Sequence, residues 1–372
     1  MMKVKDICSL QNGRAFKPAD WRPNGLPIVR IQNLNDESAP FNYYAGEYNP
    51  VHEINDGELL FSWSGTPGTS FGAFRWFRGK GVLNQHIFRV IPKIDVDKEY
   101  LKYALNGNIQ VIIAKAHGGV GLQHITKKEL DEIEIRIPSI RRQQEIVAIL
   151  SKVEGLIKHK KQELQWFNDI IKARFVELFE SRNYPIEKLG NICSKITDGT
   201  HKTPNYLEAG ITFISAKNII NGELNFSDVK YISEEEYQSI QKRCQTEKLD
   251  ILLSKSGSLG SPVIVKTDEK LGLFESLAVL KYDRDKIVPE FLCEQIKTDR
   301  VQRQFTSGTK GVAIKHLHLG VISDTDVIVP SMDEQKEFAR FVKKVDKSKS
   351  AVQKALDETQ VLFDSLMQEY FG

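Results

Sequence analysis

The sequence has 372 residues and a formal net charge of +3, with 41% hydrophobic and 27% charged residues. This length predicts two or three domains that can each bury a core, and the composition excludes a disordered chain. No run approaches the roughly 20 apolar residues of a membrane-spanning helix, and the start, MMKVKDICSL, lacks the apolar core of a secretion signal, so we expect a cytoplasmic protein. The cysteines are scattered without a CxxC pair, which argues against a zinc site or a disulfide framework.

The first part of the chain predicts a β-rich domain with a few short helices. Strand candidates are 27–32, 58–63, 87–91 and 131–137. A helical segment at 99–114 precedes a loop that carries glycines, AHGGVGLQH. We set this domain, called domain 1, at residues 1–138.

A long helix is predicted next, over 139–182, with Pro138 just before it. Apolar residues recur at alternating steps of four and three, which is the heptad pattern of coiled coils. The heptad positions are Ile146, Leu150, Val153, Ile157, Leu164, Phe167, Ile171 and Leu178, with Lys160 and Arg174 in the gaps.

The second part of the chain predicts the same order of elements. Domain 2 is set at 183–330, with strand candidates 212–216, 251–255, 262–266, 278–282 and 326–329. A helical segment at 290–305 precedes the loop TSGTKGVAIKH, and a second long helix is predicted over 331–372. Its heptad positions are Phe338, Val342, Val345, Val352, Leu356, Phe363, Leu366 and Tyr370, interrupted at Lys349 and Thr359.

Sliding the sequence along itself shows that the two parts are copies of one unit. The residues that coincide include Gly25 with Gly210, Asn33 with Asn218, His124 with His316, Pro138 with Pro330, Gln143 with Gln335 and Phe179 with Phe371. Because polar residues and glycines coincide as well as apolar ones, chance alignment of strands is a poor explanation. We predict an α+β fold in which two pseudo-symmetric β-rich domains are separated by two long helices that pair as an antiparallel coiled coil. The alternative is that the helices mediate homodimerisation.

A search for catalytic motifs returns none. The sequence has no GxxxxGK[ST] phosphate loop, GxSxG elbow, HExxH or GxGxxG, and no Asp/Asn-Pro-Pro-aromatic tetrapeptide of an amino-methyltransferase. His86, His124, His201 and His316 have no convincing carboxylate or nucleophile partner in the sequence. We therefore predict a non-catalytic chain with no metal site.

The loops of both domains carry residues that suit DNA. Arg and Lys neutralise phosphates, Arg, Asn and Gln form paired hydrogen bonds with base edges, and glycines beside hydroxyl residues allow close approach to a phosphate. Taken singly, each residue is better explained as a solvated loop residue, but together they recur at matching places with changed identities. In domain 1 the candidates are Arg14, Lys17, Arg30, Gln32, Asn33, Ser62, Trp63, Ser64, Thr66 and Arg75. In domain 2 they are Thr200, His201, Lys202, Lys217, Asn218, Ser254, Lys255, Ser256, Ser258 and Lys315.

Over essentially its full length the chain resembles the specificity subunit (HsdS) of type I restriction-modification systems. The segments that carry the resemblance are ITDGTHKTP, GITFISAKNI, ILLSKSGSLG and the two helix entries PSIRRQQE and PSMDEQKE. The resemblance implies that domains 1 and 2 are target recognition domains, each binding one half of a split site in double-stranded DNA. It also implies that the helices set the spacing and dock two methyltransferase subunits, and that restriction subunits join the complex. S-adenosylmethionine, ATP and Mg would then belong to partner subunits, with no cofactor on this chain.

Copy one departs from this pattern at two places. NGRAFKPAD stands where copy two has DGTHKTP, and Trp63 stands where copy two has Lys255. Besides an enzyme with an unrecognised site, which ranks third, the other hypothesis for the whole chain is a coiled-coil scaffold whose β domains bind protein without DNA specificity. Salt dependence separates the two hypotheses, because binding to duplex DNA weakens steeply with added salt.

Overall fold

The computed structural model describes residues 1–65, 70–119, 122–306 and 316–372. It contains two compact units: unit 1 is Met1–Lys161 with Lys354–Gly372, and unit 2 is Gln162–Gln353. The divisions fall inside the two long helices, so each unit holds one globular part and a segment of both helices. The boundaries at 138, 182 and 330 follow the sequence repeat and stay a prediction.

Unit 1 is built mainly from short strands. Its strands are β1 (Met2–Lys3), β2 (Cys8–Asn12), β3 (Leu26–Val29), β4 (Asn42–Tyr44), β5 (Glu53–Ile54), β6 (Glu58–Ser62), β7 (Ser64–Gly65), β8 (Gly72–Trp76), β9 (Gly81–Leu83), β10 (Ile87–Pro92), β11 (His117–Gly119), β12 (Leu122–His124) and β13 (Glu134–Ile135). Its helices are α1 (Val4–Ile7), α2 (Ile31–Asn35), α3 (Lys98–Gly107), α4 (Ile109–Ala114), α5 (Lys127–Asp131) and the first part of α6 (Ile140–Phe175).

Two sheets dominate unit 1. One has the order β2-β10-β6-β8 and is antiparallel throughout. The other has the order β4-β3-β9-β5 and contains a parallel pair, β3 with β9. The core beside the first sheet includes Tyr100 and Leu101 of α3 together with Leu59 and Phe61 of β6, all of them fully buried. Burial of each such side chain contributes about 1.5–3 kcal/mol.

Unit 2 repeats this construction. Its strands are β14 (Ile186–Lys188), β15 (Cys193–Asp198), β16 (Ile211–Ile214), β17 (Ile219–Ile220), β18 (Glu223–Leu224), β19 (Lys230–Ile232), β20 (Ile251–Ser254), β21 (Pro262–Ile264), β22 (Leu271–Leu273), β23 (Leu277–Tyr282) and β24 (Asp326–Ile328). Its helices are α7 (Leu189–Ile192), α8 (Glu234–Gln241), α9 (Pro289–Ile296), α10 (Asp299–Thr306), α11 (Leu319–Ser323) and the first part of α12 (Met332–Phe371). A π-helical turn, Val176–Glu180, follows α6.

The sheets of unit 2 correspond to those of unit 1. The order β15-β23-β20-β21 is again antiparallel, and the order β19-β16-β22 again contains a parallel pair, β16 with β22. The duplication predicted from the sequence is thus present in strand order and in strand direction.

A buried glutamine fixes the entry of each long helix. In unit 1 the side chain of Gln143 accepts a hydrogen bond from Asp97 N (2.9 Å) and donates one to Pro138 O (2.8 Å). In unit 2 Gln335 accepts from Val288 N (3.0 Å) and donates to Pro330 O (2.9 Å). These bonds satisfy buried backbone groups where the chain turns into the helix, which explains the two matching helix-entry sequences.

The heptad positions predicted for α6 and α12 are buried or half-buried in the structure. In unit 1 the early α6 residues Ile146 and Leu150 share a hydrophobic cluster with Leu366 and Phe371 at the end of α12. In unit 2 the late α6 residues share a cluster with the start of α12, and Phe175 lies 5.5 Å from Phe338 between ring centroids. Nearer the start of α6 in unit 2, Asn168 contacts Lys349 (2.8 Å), which lies further along α12 than Phe338. The two helix segments therefore run in opposite directions.

Candidate nucleic-acid interface

In unit 2 several of the predicted DNA-binding loops meet at one end of the sheet β15-β23-β20-β21. Backbone hydrogen bonds hold them together: Thr200 N donates to Leu273 O (2.9 Å) and Lys255 N donates to Ser276 O (2.7 Å). Leu317 N donates to Lys255 O (2.8 Å), which adds the segment around Leu317. Sequence-distant loops thus form one continuous surface.

Unit 1 contains the same three backbone bonds at the matching positions. Arg14 N donates to Leu83 O (2.9 Å), Trp63 N to His86 O (3.0 Å) and Ile125 N to Trp63 O (3.0 Å). The two domains therefore share the backbone frame of this surface and differ in the side chains placed on it.

A glycine in each copy lets two backbone segments of this frame touch. A Cβ added at Gly199 would lie 2.1 Å from Leu273 O, and one added at Gly13 would lie 2.1 Å from Asn84 O. Because the obstacle is backbone in both cases, only glycine fits without moving a strand. This accounts for the Asp-Gly and Asn-Gly pairs that open the two loops.

At the centre of the surface in unit 2 lies an ionic cluster formed by Asp198, His201, Arg243, Lys255 and Glu275. The Lys255 ammonium is 2.5 Å from Asp198 Oδ2, and the two side chains are only 5% and 3% exposed. Arg243 Nη2 pairs with the other carboxylate oxygen of Asp198. His201 lies 3.3 Å from Asp198 Oδ2 and 2.7 Å from Glu275 Oε2. The absence of a carboxylate partner inferred for His201 from the sequence is therefore wrong, because folding brings Glu275 to it.

The charges of this cluster balance one another. Burial raises the pKa of Asp198, but the Lys255 ammonium and the Arg243 guanidinium outweigh it and hold that pKa below its usual range. The Lys255 ammonium is therefore held in a buried ion pair and does not point freely to solvent. We assign Lys255 to supporting the loop that begins at Asp198, with the exposed groups around it left for a ligand.

Unit 1 has a neutral pair at the same place. Trp63 Nε1 donates to Asn12 Oδ1 (3.1 Å), and the indole lies 4.8 Å from the ring of His86 and 5.6 Å from that of Phe88. Burial, and secondarily the nearby His124, lower the pKa of His86. The departure of copy one from the pattern of copy two is therefore a matched exchange of both partners.

Two arginines of domain 1 are stacked on aromatic rings at this surface. The guanidinium of Arg14 lies 5.1 Å from the ring centroids of both Phe16 and Tyr44, and that of Arg30 lies 5.5 Å from that of Trp21. These contacts hold each guanidinium beside an aromatic ring, and Arg14 Nη1 also donates to Tyr44 Oη (3.1 Å) and to Glu47 O (3.4 Å). Arg75 is placed differently, because it donates to Gly57 O (3.0 Å) at the other end of β6.

The two aligned asparagines shape loops through their side chains. Asn33 accepts from Arg30 N (3.1 Å) and donates to Ala39 O (3.2 Å). Asn218 accepts from Ser215 N (3.0 Å) and donates to Asp228 O (3.0 Å). Both side-chain amides are buried and hydrogen-bonded to backbone groups. We therefore assign the two asparagines to positioning the residues of their own loops.

The remaining candidates, several of which carry a hydroxyl group, differ in how far they are exposed. Ser62, Ser64 and Ser254 are buried. Thr200 is half-buried and bonds the backbone of Lys202 in a local turn (3.1 Å). The candidates left for direct contact are partly or fully exposed, namely Lys17, Gln32, Lys202, Lys217, Ser256 and Ser258. Thr66 and Lys315 lie outside the described residues.

Comparison with known proteins identifies the family of the two repeated domains. The family model described as the Type I restriction modification DNA specificity domain matches residues 1–165 and 182–359. The chain belongs to this family. The repeat of the sequence and the repeat of the fold are thus two specificity domains in tandem.

Relatives of this specificity-domain protein extend along most of its length. It is 23% identical to the "Type I restriction enzyme EcoBI specificity subunit" of Escherichia coli, over 99% of this chain and 83% of the relative. It is 22% identical to the MjaVIII specificity subunit of Methanocaldococcus jannaschii, over 81% of this chain and 77% of the relative. The crystal structure of the type I restriction-modification system S subunit from M. genitalium shares the fold, with a TM-score of 0.54 and 16% identity over 100% of this chain and 95% of that one.

Sequence reasoning missed three members of the ionic cluster of the second specificity domain. Asp198 belongs to a motif that we singled out, but its carboxylate was not assigned a role. Arg243 and Glu275 carry no motif, and only the fold brings them to Asp198 and His201.

Neither a metal cluster nor a reactive thiol occurs in the described part of the chain. No group of three or more His, Cys, Asp or Glu residues is placed to hold a metal ion. Burial raises the pKa of Cys8, Cys193, Cys244 and Cys293 to about 12, so these thiols stay protonated and pack as small apolar groups. Within the described residues no helix is both long and apolar enough to cross a membrane.

Proposed function

We propose that this chain is the sequence-specific DNA-binding subunit of a type I restriction-modification complex. Domain 1 and domain 2 each bind one half of a split target in double-stranded DNA. The observation that carries the proposal is the pair of matching backbone frames, which hold different side chains at equivalent positions. Two domains that bind different DNA sequences require the same backbone frame with different side chains, because base edges are distinguished by their hydrogen-bond pattern.

The long helices are proposed to pair as an antiparallel coiled coil within one chain and so to set the distance between the half-sites. Their heptad positions are withdrawn from solvent, and in unit 2 their contacts run in opposite directions. This favours pairing within the chain over the alternative of homodimerisation through the helices.

The outer face of α6 is proposed to dock a methyltransferase subunit. Trp166 and Ile170, one helical turn apart, have 56% and 49% of their surface exposed. Large apolar side chains grouped on a helix face mark a protein contact more often than a solvated surface. Partner subunits would carry S-adenosylmethionine, ATP and Mg, and restriction subunits would complete the complex. Because its substrate would be chromosomal DNA, we place the complex in the cytoplasm.

The proposal is tested by the salt dependence of duplex binding. The full chain, without partner subunits, is titrated with labelled duplex DNA at several salt concentrations. A DNA-binding subunit loses affinity along a straight line of log K against log salt, with a slope of about −0.9 per phosphate contact. A protein-interaction scaffold, the second hypothesis, would show no salt-dependent affinity for duplex DNA.

A further inference from the structure

We propose that Arg30 binds the major-groove edge of a guanine in the half-site of domain 1. The inference rests on the proposed function and deepens it, because it names a specificity-determining residue and the base that this residue recognises. Arg30 is partly exposed and follows directly after β3 (Leu26–Val29).

Arg30 lies at the edge of the backbone frame that holds the candidate DNA-binding loops of domain 1. The strands β3 and β9 are parallel neighbours, so both end at the same edge of their sheet. Asn84 is the first residue after β9, and its backbone N–H donates to Val29 O (3.0 Å). The next residue of this segment holds the loop of Arg14, because Gln85 N donates to Arg14 O (2.8 Å). The end of β3 thus brings Arg30 to the surface proposed to face DNA.

The guanidinium of Arg30 has all its donors available. It lies 5.5 Å from the ring centroid of Trp21, and among the described residues it forms neither a hydrogen bond nor an ion pair. A guanidinium carries five N–H donors in a planar fork, and two donors on one edge of this plane bind a base together. Because no nitrogen of the Arg30 guanidinium is engaged by the protein, both edges remain for a ligand.

The other arginines in the loops around Arg30 are used by the protein itself. Nη1 of Arg14, of Arg22 and of Arg78 each donates to two protein oxygens. These guanidinium groups hold the loops together, whereas Arg30 contacts the described residues only through the indole ring of Trp21. Among the described arginines of these loops, Arg30 alone keeps its whole guanidinium for a ligand.

Copy two has a serine at the place of Arg30. In each copy the backbone N–H of this residue donates to an asparagine side chain, from Arg30 to Asn33 Oδ1 (3.1 Å) and from Ser215 to Asn218 Oδ1 (3.0 Å). In each copy the residue before it also accepts a backbone hydrogen bond from the segment that follows the parallel strand. The frame is therefore the same in both copies, and the side chain placed on it differs.

This difference between the copies favours a base over a phosphate as the ligand of Arg30. Both domains meet the same phosphodiester backbone, so a phosphate contact made from the shared frame would serve both copies, whereas base contacts carry the sequence information. Arginine binds guanine O6 and N7 through two hydrogen bonds, which is the commonest specific contact in the major groove. A serine hydroxyl has one donor. Arg30 therefore gives domain 1 a guanine contact that Ser215 does not provide in domain 2.

The experiment compares Arg30→Lys and Arg30→Ser with wild type, each in complex with methyltransferase subunits. Lysine keeps the charge and loses the fork, and serine is the residue of copy two. The wild-type target is first defined by methylome sequencing, and methylation rates are then measured on duplexes in which each specified base pair is replaced in turn. Wild type is expected to favour a G·C pair of one half-site by roughly tenfold or more. In both variants this preference is expected to fall below about threefold, while the preference at every other position is kept.

Two control variants accompany these measurements. Gly199→Ala disturbs a loop of domain 2 and identifies the half-site that Arg30 should not affect. Lys17→Gln removes an exposed positive charge from the loop that follows Arg14 and should leave every base preference unchanged.

A G·C preference that persists in Arg30→Lys would show that the charge suffices and would overturn the proposal. So would a domain 1 half-site without a specified G·C pair, or an equal loss of rate on every duplex, which is the behaviour of a phosphate contact. A lower melting temperature of Arg30→Lys with weakened preference at both half-sites would make Arg30 a structural residue and would overturn it as well. A wild-type complex without a split target would refute the proposed function itself, an outcome distinct from failure of Arg30.

Discussion

Removing Lys255 tests the assignment of this residue to a buried ion pair. In the Lys255→Met variant the buried carboxylate of Asp198 loses its 2.5 Å partner, with both side chains 5% exposed or less. Breaking a buried pair from one side costs about 3–5 kcal/mol, and we expect the lower end, about 3 kcal/mol, because Arg243 stays on Asp198. For a unit of this size that loss lowers the melting temperature by about 6–12 °C.

The assay is scanning calorimetry of the full chain, with hydrogen exchange to locate the destabilised segment. Exchange should accelerate in unit 2 and stay unchanged in unit 1. The matched control is Lys217→Met, whose partner Asp228 is 3.0 Å away but whose side chains are 51% and 76% exposed, so its loss costs about 0–1 kcal/mol. Adding Asp198→Asn to Lys255→Met should recover most of the stability, since a neutral pair replaces the orphaned charge, as Asn12 and Trp63 do in unit 1. Equal melting temperatures of Lys255→Met and Lys217→Met would refute this reasoning. A double variant that is less stable than Lys255→Met alone would refute it as well.

Three further predictions concern acid sensitivity, the loop glycine and the helices. The folded-state pKa of Asp198 is lowered, so its contribution to stability is fully present above the ordinary carboxyl pKa of about 3.9 and is lost progressively as pH falls from there through the lowered pKa. The difference in melting temperature between wild type and Asp198→Asn should therefore begin to narrow below about pH 4. A constant difference down to about pH 3 would contradict the ion pair. Gly199→Ala places a Cβ against Leu273 O and should weaken DNA binding at the half-site of domain 2 only, as measured on half-site-substituted duplexes; unchanged affinity would show that the strands separate easily. Four residues inserted into each long helix lengthen it by about 6 Å, or roughly two base pairs, and methylation mapping should show a wider gap with unchanged half-site sequences, whereas an unchanged gap would reject helix-set spacing.

The long helices and the repeat were predictable because their signals are periodic and local. Heptad positions recur every few residues, and the helix entries at Gln143 and Gln335 belong to matching sequences. Strand ends were harder to predict. The strand expected over 27–32 ends at Val29, because the Asn33 side chain bonds Arg30 N and starts a helical turn.

The composition of the candidate site was only partly predictable. Lys255 looked like a free cation because its partner Asp198 is 57 positions away, and Arg243 lies 45 positions from the same carboxylate. Which cations are neutralised by a buried acid depends on which loops the sheet brings together. The sequence alone does not show which acid lies beside which cation. Residue type therefore counted Lys255, which forms a buried ion pair, among the cations free to bind a ligand.

The most direct test of a subunit that reads a split target is single-molecule methylome sequencing of a host that carries this chain with its methyltransferase subunits. We predict methylation in a motif of two specified halves separated by unspecified bases, and loss of that methylation when this chain is deleted. A continuous motif, or methylation that persists without the chain, would contradict it.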